Sequence, residues 1–374
     1  MASATLTIMA GALIAPVLNL MGGELGVDPA SVGLIITTHA LFIAIFSPLI
    51  GSLIDKMGAK KPFIVGLIIY GLAGGSGLFI TSYWVLIISR AIMGIAVAAV
   101  FVSITVLILN LYKGAERNKI MGWRGSANSF GGIIWPIIGG FLGMFSWHLP
   151  FAAYLLSIPL GLLAVITIPE TCREKTQDKD KEGSLLKVLR STPTLFVIYG
   201  LMFLAMVLLY TIVIFLPQRL AEIGITNPFY ISLFIAFMAL SAGIAAFNYG
   251  KIKTKLSYKM LVFITLALWA VGLTTLSQVV SILFIAASII LFGIGQGLLL
   301  PAVLVWAGEK VTFSFRGRIT SYLATFGFIG QFSSPLIFGP VLLELGLNGV
   351  FLSAGAVCIA LFVLFSVGAK KITH

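Results

Sequence analysis

The sequence predicts an all-α integral membrane fold: twelve spanning helices in two pseudo-symmetric six-helix bundles. Three observations carry that expectation: the composition, the number and length of the apolar runs, and a repeat of residue types between the two halves. Of 374 residues, 59% are hydrophobic and 10% charged. Soluble domains average roughly 45–50% and 25%, so this chain has too few charges to cover a water-facing surface of its size. That excludes an ordinary soluble enzyme, a disulfide scaffold and a disordered protein. A net charge of +12 would suggest nucleic acid in a soluble chain. In a membrane chain it reports which side of the bilayer each loop faces, and no nucleic-acid partner is expected.

A helix needs roughly 20 mostly apolar residues to cross the hydrocarbon core. Twelve such runs follow one another at 4–22, 31–53, 62–81, 83–109, 120–144, 149–168, 194–216, 229–249, 258–277, 279–307, 319–343 and 348–368. The first opens almost at Met1 without a basic region ahead of it, since the first Lys or Arg is Lys56. It therefore reads as a spanning helix rather than a cleavable signal, with room for a few further residues before it. Asp28 before Pro29 reads as a helix N-cap, and Asn227-Pro228 repeats the device. The two cysteines, Cys172 and Cys358, have no metal or redox spacing, and no disulfide is expected.

The basic residues then fix the topology. The loops that follow odd-numbered helices, at 22–30, 81–83, 146–149 and 217–228 among others, contain Arg219 alone, and Arg90 falls inside a helix. The remaining 22 of the 24 Lys and Arg lie on the opposite side, which the positive-inside rule makes cytoplasmic. Twelve crossings put both termini there. The stretch 169–192, with six basic and five acidic residues, reads as a solvated cytoplasmic linker between halves 1–168 and 193–374.

Adding 199 to first-half positions returns the same residue type repeatedly. Pro29 gives Pro228, Gly51 Gly250, Lys56 Lys255, Lys60 Lys259, Gly94 Gly293, Arg117 Arg316, Gly131 Gly330, Pro136 Pro335 and Gly140 Gly339. The matches fall at helix ends, basic loops and a Gly/Pro helix, where backbone geometry narrows the choice. A parallel repeat about an axis along the membrane normal is a transporter design.

Residues 51–62 read GSLIDKMGAKKP. With the helix count, the repeat and the charged linker, this loop resembles the signature G-x-L-a-D-R/K-x-G-R/K-R/K of the major facilitator superfamily, departing from it at Ala59. The second-half copy keeps its glycine and lysines but has Thr254 in place of Asp55. Gly51 and Gly58 are expected to allow close backbone approach and a tight turn. The resemblance implies that Asp55 braces the two halves when the cavity opens outward, with Lys56, Lys60, Lys61 and Arg117 in the same latch. Arg117 is the candidate ion-pair partner of Asp55, and the other reading of the lysines is orientation signals alone.

Further along, the segment 86–94, LIISRAIMG, resembles the family's R-x-x-x-G element. Spacing of four puts Arg90 and Gly94 on one helix face, and a cation inside a span faces a cavity or a partner. Arg90 is read as a ligand for an anionic group, an influence on a nearby proton site, or a hydrogen-bond donor to helix carbonyls. GGIIWPIIGG at 131–140 resembles the antiporter element G-x-x-x-G-P-x-x-G-G through Gly131, Pro136, Gly139 and Gly140, with Trp135 replacing a glycine. In the family that element goes with export; its other reading is helix packing alone. Trp147-His148-Leu149-Pro150-Phe151 resembles the W-R-x-x-F loop of drug exporters, with His148 for arginine.

No predicted span carries an acid in its interior, and Arg90 stands as the one Lys or Arg there. The candidates for a titrating group are His39, Asp55, Glu24 and Glu222, histidine because its ordinary pKa near 6.5 lies in the useful range. Asn19, Thr37, Thr38, Ser103, Asn128, Tyr210, Gln296 and Gln331 are candidate polar groups on a central path whose walls are otherwise apolar and aromatic, which favours an amphipathic substrate over a sugar. The leading expectation is a secondary transporter, most like the twelve-helix drug/proton antiporter branch. It would export amphipathic organic compounds from a prokaryotic cell in exchange for protons, as a monomer in the plasma membrane. The alternative is an uptake symporter or uniporter for a small organic anion bound by Arg90. A membrane-embedded enzyme is disfavoured, because no metal or cofactor motif exists and His39, His148 and His374 are scattered.

Overall fold

A chain this apolar can satisfy its backbone polar groups in a bilayer only within helices or a closed barrel, and the computed structural model takes the helical route. It describes residues 2–169, 191–311 and 313–368. Residues 170–190 of the expected linker, with Cys172, and Lys370, Lys371 and His374 lie outside them.

Among the described residues, ten helices are long and apolar enough to cross a membrane. Spans 1 to 4 are Ala2–Glu24, Leu34–Met57, Lys60–Leu78 and Tyr83–Leu111, and span 6 is Leu149–Thr167. Spans 7 to 10 are Thr194–Glu222, Pro228–Lys253, Tyr258–Gln278 and Ile282–Glu309. The tenth, Ile319–Ser366, is 48 residues long, over twice what a bilayer needs. It lies within the helical stretch Phe313–Gly368, which breaks at Gly346 with φ 65° and ψ −172°. Only glycine takes that conformation without strain, so the stretch makes spans 11 and 12. Helix Gly114–Gly143 is span 5; its charged first turns are what make it less apolar than the others. The count reaches twelve.

Span 1 is present where expected, as Ala2–Glu24, with Ala2–Ala12 giving way to a 3-10 turn at Ala15–Val17 before Leu18–Glu24. Pro16 sits in that turn, lacks an N–H and breaks the hydrogen-bond ladder. Span 7 runs through Pro217 to Glu222, which brings Arg219, expected in an outer loop, into its last turn.

Contacts divide the chain into two compact units, residues 1–191 with 227–232, and residues 192–226 with 233–374. Each repeats the other at residue level with the offset of 199. A methyl group on Gly94 would collide with the His39 carbonyl, and one on Gly293 with the Met238 carbonyl. Ser89 Oγ donates to the Ala73 carbonyl at 2.6 Å, and a methyl on Gly272 would lie 2.8 Å from the Ser288 carbonyl. A methyl on Gly66 would lie 3.2 Å from the Ala96 carbonyl, and Thr265 Oγ1 donates to the Gly295 carbonyl at 3.3 Å.

The polar turns ahead of spans 2 and 8 repeat too. Asp28 Oδ1 accepts from the Ala30 and Ser31 amides at 3.0 and 2.9 Å, which caps the turn 29–33 rather than the helix itself, since span 2 opens only at Leu34 with no side-chain cap. Asn227 Oδ1 accepts from Phe229 at 2.9 Å directly ahead of span 8. Hydrogen bonds from Ser31, by side chain and amide, hold the Asp28 carboxyl below its ordinary pKa. The cap's contribution is therefore present at neutral pH and lost as pH falls through that lowered value. Asp28→Ala is expected to cost about 1 kcal/mol, read as a small drop in melting temperature that disappears in acid.

Candidate functional site

The first unit is organised around Arg90, fully buried in span 4. Serine and aliphatic neighbours keep span 4 helical through the bilayer, and span 3 brings its carbonyls alongside. Arg90 Nη2 donates to the Gly74 carbonyl at 3.0 Å and the Ala73 carbonyl at 3.3 Å. Its guanidinium carbon lies 5.0 Å from the Phe151 ring centroid and 5.2 Å from that of Tyr154. Both rings come from the 3-10 turn Leu149–Leu156 that opens span 6. Tyr70 packs edge-on to Tyr154 at 5.7 Å. Arg90 thus occupies a closed cage of two helix carbonyls and aromatic faces, where ring quadrupoles supply the negative potential a carboxylate would otherwise provide.

That cage is tied to the broken first span. Tyr70 donates to the Leu6 carbonyl at 2.7 Å, Tyr154 to Ala10 at 3.0 Å, and Trp135 Nε1 to Thr5 at 3.1 Å. Trp135, where the antiporter element has glycine, is therefore anchored on span 1. A methyl on Gly139 would collide with the Leu13 carbonyl, and one on Gly131 would lie 3.1 Å from Thr5 Cβ. Pro136, Gly139 and Gly140 are buried with them. Gly94 and His39 meet as described, with His39 and Thr38 buried on span 2.

The basic-side loop after span 2 is a tight turn. Gly58 has φ 81° and its amide caps the helix on the Ile54 carbonyl at 2.9 Å. Asp55 and Lys56 are exposed in the last turn of span 2, and Lys60 and Lys61 open span 3. Arg117, half-buried, donates from Nε to the Tyr112 carbonyl at 3.1 Å. The close approach expected at Gly51 is not there, because a methyl on it would meet nothing within 4 Å.

Arg90 is also not the one cation inside a helix. Arg124, counted in sequence among the loop charges, is buried ten residues into span 5 and donates to Thr105 Oγ1 at 2.6 Å and the Phe101 carbonyl at 3.4 Å. Arg219 is buried in the second unit, paired with Glu222 at 2.7 Å, and donates to the Ser277 and Val279 carbonyls, each at 3.4 Å. The clue missed in sequence was that helix ends extend past the apolar run when a long side chain can reach back into the bundle. The described acids, Glu24, Asp28, Asp55, Glu116, Glu222, Glu309 and Glu344, lie in loops or end turns, Glu344 two residues ahead of the break at Gly346.

Of the other polar candidates, Asn19, Asn128 and Tyr210 are half-buried, and Thr37, Ser103, Gln296 and Gln331 are buried. Both ends of the Gln296 amide lack a hydrogen-bond partner among the described residues, as does Asn128 Oδ1. His148 faces the Gly77 carbonyl at 2.9 Å and stacks on Trp147. Among the described residues no cluster of His, Cys, Asp or Glu could hold a metal.

A sequence model of the Major Facilitator Superfamily matches residues 1–257 and 201–371. The chain belongs to the Major Facilitator Superfamily. As a member it is a multi-pass membrane transporter rather than an enzyme, and its relatives lie in the drug-efflux branch. It is 27% identical to the bacillibactin exporter of Bacillus subtilis (strain 168) over 97% of this chain and 94% of that one. It is 25% identical to multidrug resistance protein 2 of the same organism, covering 93% and 88%. With the quinolone resistance protein NorA of Staphylococcus aureus it shares 28% identity, covering 87% and 84%. Among solved structures, the D-xylose-proton symporter aligns at TM-score 0.82 with 14% identity, covering 97% of this chain and 95% of that one. The nucleoside transporter NupG aligns at 0.81 with 14% identity, covering 99% and 98%. These two share the fold alone.

Proposed function

We propose that this transporter exports amphipathic organic compounds in exchange for protons, by alternating access between its two six-helix units. The observation that carries the reading is end-to-end similarity to proteins named as exporters and resistance proteins, covering 87–97% of this chain. The chemistry of the chain is in keeping with it. Among the described residues the buried side chains are predominantly apolar, which suits a substrate recognised by apolar surface with a handful of hydrogen bonds. Arg90 is fully enclosed, which argues against uptake of a small organic anion through that side chain. One charge crossing ~100 mV yields about 2.3 kcal/mol, enough at ~1.4 kcal/mol per decade for a gradient of roughly 40-fold.

The basic loops face the cytoplasm, both termini lie there, and the working unit is a monomer in the plasma membrane of a bacterial cell. The 51–61 loop, with Asp55, Lys56, Gly58, Lys60 and Lys61, is the latch, and Arg117 belongs to it. His39, Asp55, Glu24 and Glu222 are the groups to test for proton coupling. In proteoliposomes, a lipophilic cationic dye is expected to move when a pH gradient is imposed and to stop when an ionophore collapses it. Dye movement indifferent to the gradient, across a broad compound panel, would sink the coupled-export reading.

A further inference from the structure

We infer that the first unit holds a binding site for an amphipathic anion, an acyl chain with a carboxylate or phosphate head, seated against Arg124. The inference is independent of the export reading. A cavity of ≈ 410 Å³ lies among the basic-side ends of spans 1, 3, 4, 5 and 6, lined by Phe63, Leu107 and Ala164 and by the polar groups of Ser3, Tyr112 and Arg124. That volume is within the range of about 300–1,000 Å³ typical of small-molecule sites.

Arg124 is 8% exposed. A guanidinium carries five N–H donors and keeps its charge at any physiological pH. Two hydrogen bonds, to Thr105 Oγ1 and the Phe101 carbonyl, are made to described residues, and the Phe101 ring lies 5.1 Å from the guanidinium carbon. No acid among the described residues forms a salt bridge with it. A buried cation without a counter-charge is costly, and here the guanidinium is part of a cavity wall. An anion entering the cavity would take up the free donors and supply the missing charge. The remaining lining is mostly apolar, so a small inorganic anion would leave it uncovered, whereas a hydrocarbon chain covers it. Lys113 and Lys119 stand at the same end of span 5, where basic groups concentrate anionic headgroups.

The test uses the purified full chain, delipidated in detergent and offered oleate, phosphatidylglycerol, phosphatidylcholine or inorganic phosphate in parallel. Bound molecules are counted by native mass spectrometry and melting temperatures are read alongside. One molecule of oleate or phosphatidylglycerol is expected to be retained and to raise the melting temperature. Preference for oleate identifies a free fatty acid, and preference for phosphatidylglycerol a lipid headgroup; either supports the site. Arg124→Gln is expected to lower retention at least tenfold, and Arg124→Lys less. Ala164→Trp fills the cavity while keeping the cation and is expected to lose retention too, which preserves the test if Arg124→Gln fails to fold. Equal retention by the wild type and Ala164→Trp overturns the site. So does phosphatidylcholine bound as well as phosphatidylglycerol, a full melting shift from phosphate alone, or no retention of any probe.

Discussion

Gly94→Val is expected to lower stability by about 3 kcal/mol or more and to abolish dye transport in vesicles. The added atoms would enter space already held by the His39 backbone, with Phe42 Cβ 2.8 Å from the first of them. Overpacking against side chains costs about 1–3 kcal/mol because they can shift to other rotamers. A helix carbonyl cannot, so spans 2 and 4 would have to separate. Gly293→Val meets the Met238 carbonyl in the same way and is expected to fail equally, since the repeat places the same crossing in both units. The contrast is Gly51, in the loop signature but with open space around it. Gly51→Ala is expected to be neutral or to stabilise by up to about 1 kcal/mol through helix propensity. Melting temperatures of the three purified variants check the set. A Gly94→Val protein that melts with the wild type would show that the two spans do not depend on this approach.

That contrast also marks what the sequence could reveal. Hydropathy identified the twelve crossings, and the offset of 199 paired Gly94 with Gly293. That their carbonyl partners, His39 and Met238, are related by the same offset emerged only from the structure, where a repeated backbone crossing demands a repeated small side chain. Span ends were less legible. Arg124 and Arg219 looked like loop charges because a charge lowers local hydropathy whether or not its head is tucked into the bundle. Pro16 was visible, yet an apolar run reads as continuous through a 3-10 turn. The spacing of Arg90 and Gly94 was legible on one helix. The aromatic walls around Arg90 were not, since Phe151 and Tyr154 lie some 60 residues downstream, and no local pattern joins them to it. His39 against Gly94 is likewise a tertiary contact without a local signature.

For Arg90 the expected result is a split between shape and charge. Arg90→Ala empties a fully buried volume between spans 3, 4 and 6 and is expected to cost about 3 kcal/mol, in the range of large-to-small core substitutions. Arg90→Met keeps most of that volume and removes a cation that no carboxylate among the described residues accompanies. The loss of the bonds to Ala73 and Gly74 is then offset by relief of desolvation, and the net change is expected to stay under about 1 kcal/mol. The Ala73 carbonyl keeps its hydrogen bonds from Ser76 Oγ at 2.7 Å and Ser89 Oγ at 2.6 Å, while the Gly74 carbonyl, in the last turn of its helix, loses the Arg90 donor, a cost the relief of desolvation has to offset. Substrate affinity of Arg90→Met, measured by thermal shift or dye binding, is expected to stay within about twofold of wild type, because a side chain enclosed by Phe151, Tyr154 and span 3 has no open face for a ligand. Transport is read on the same protein: a fold-preserving Arg90→Met that binds normally but no longer responds to the pH gradient assigns the cation to coupling. A loss of affinity of tenfold or more, with stability intact, would instead make Arg90 the anion ligand and revive the uptake reading.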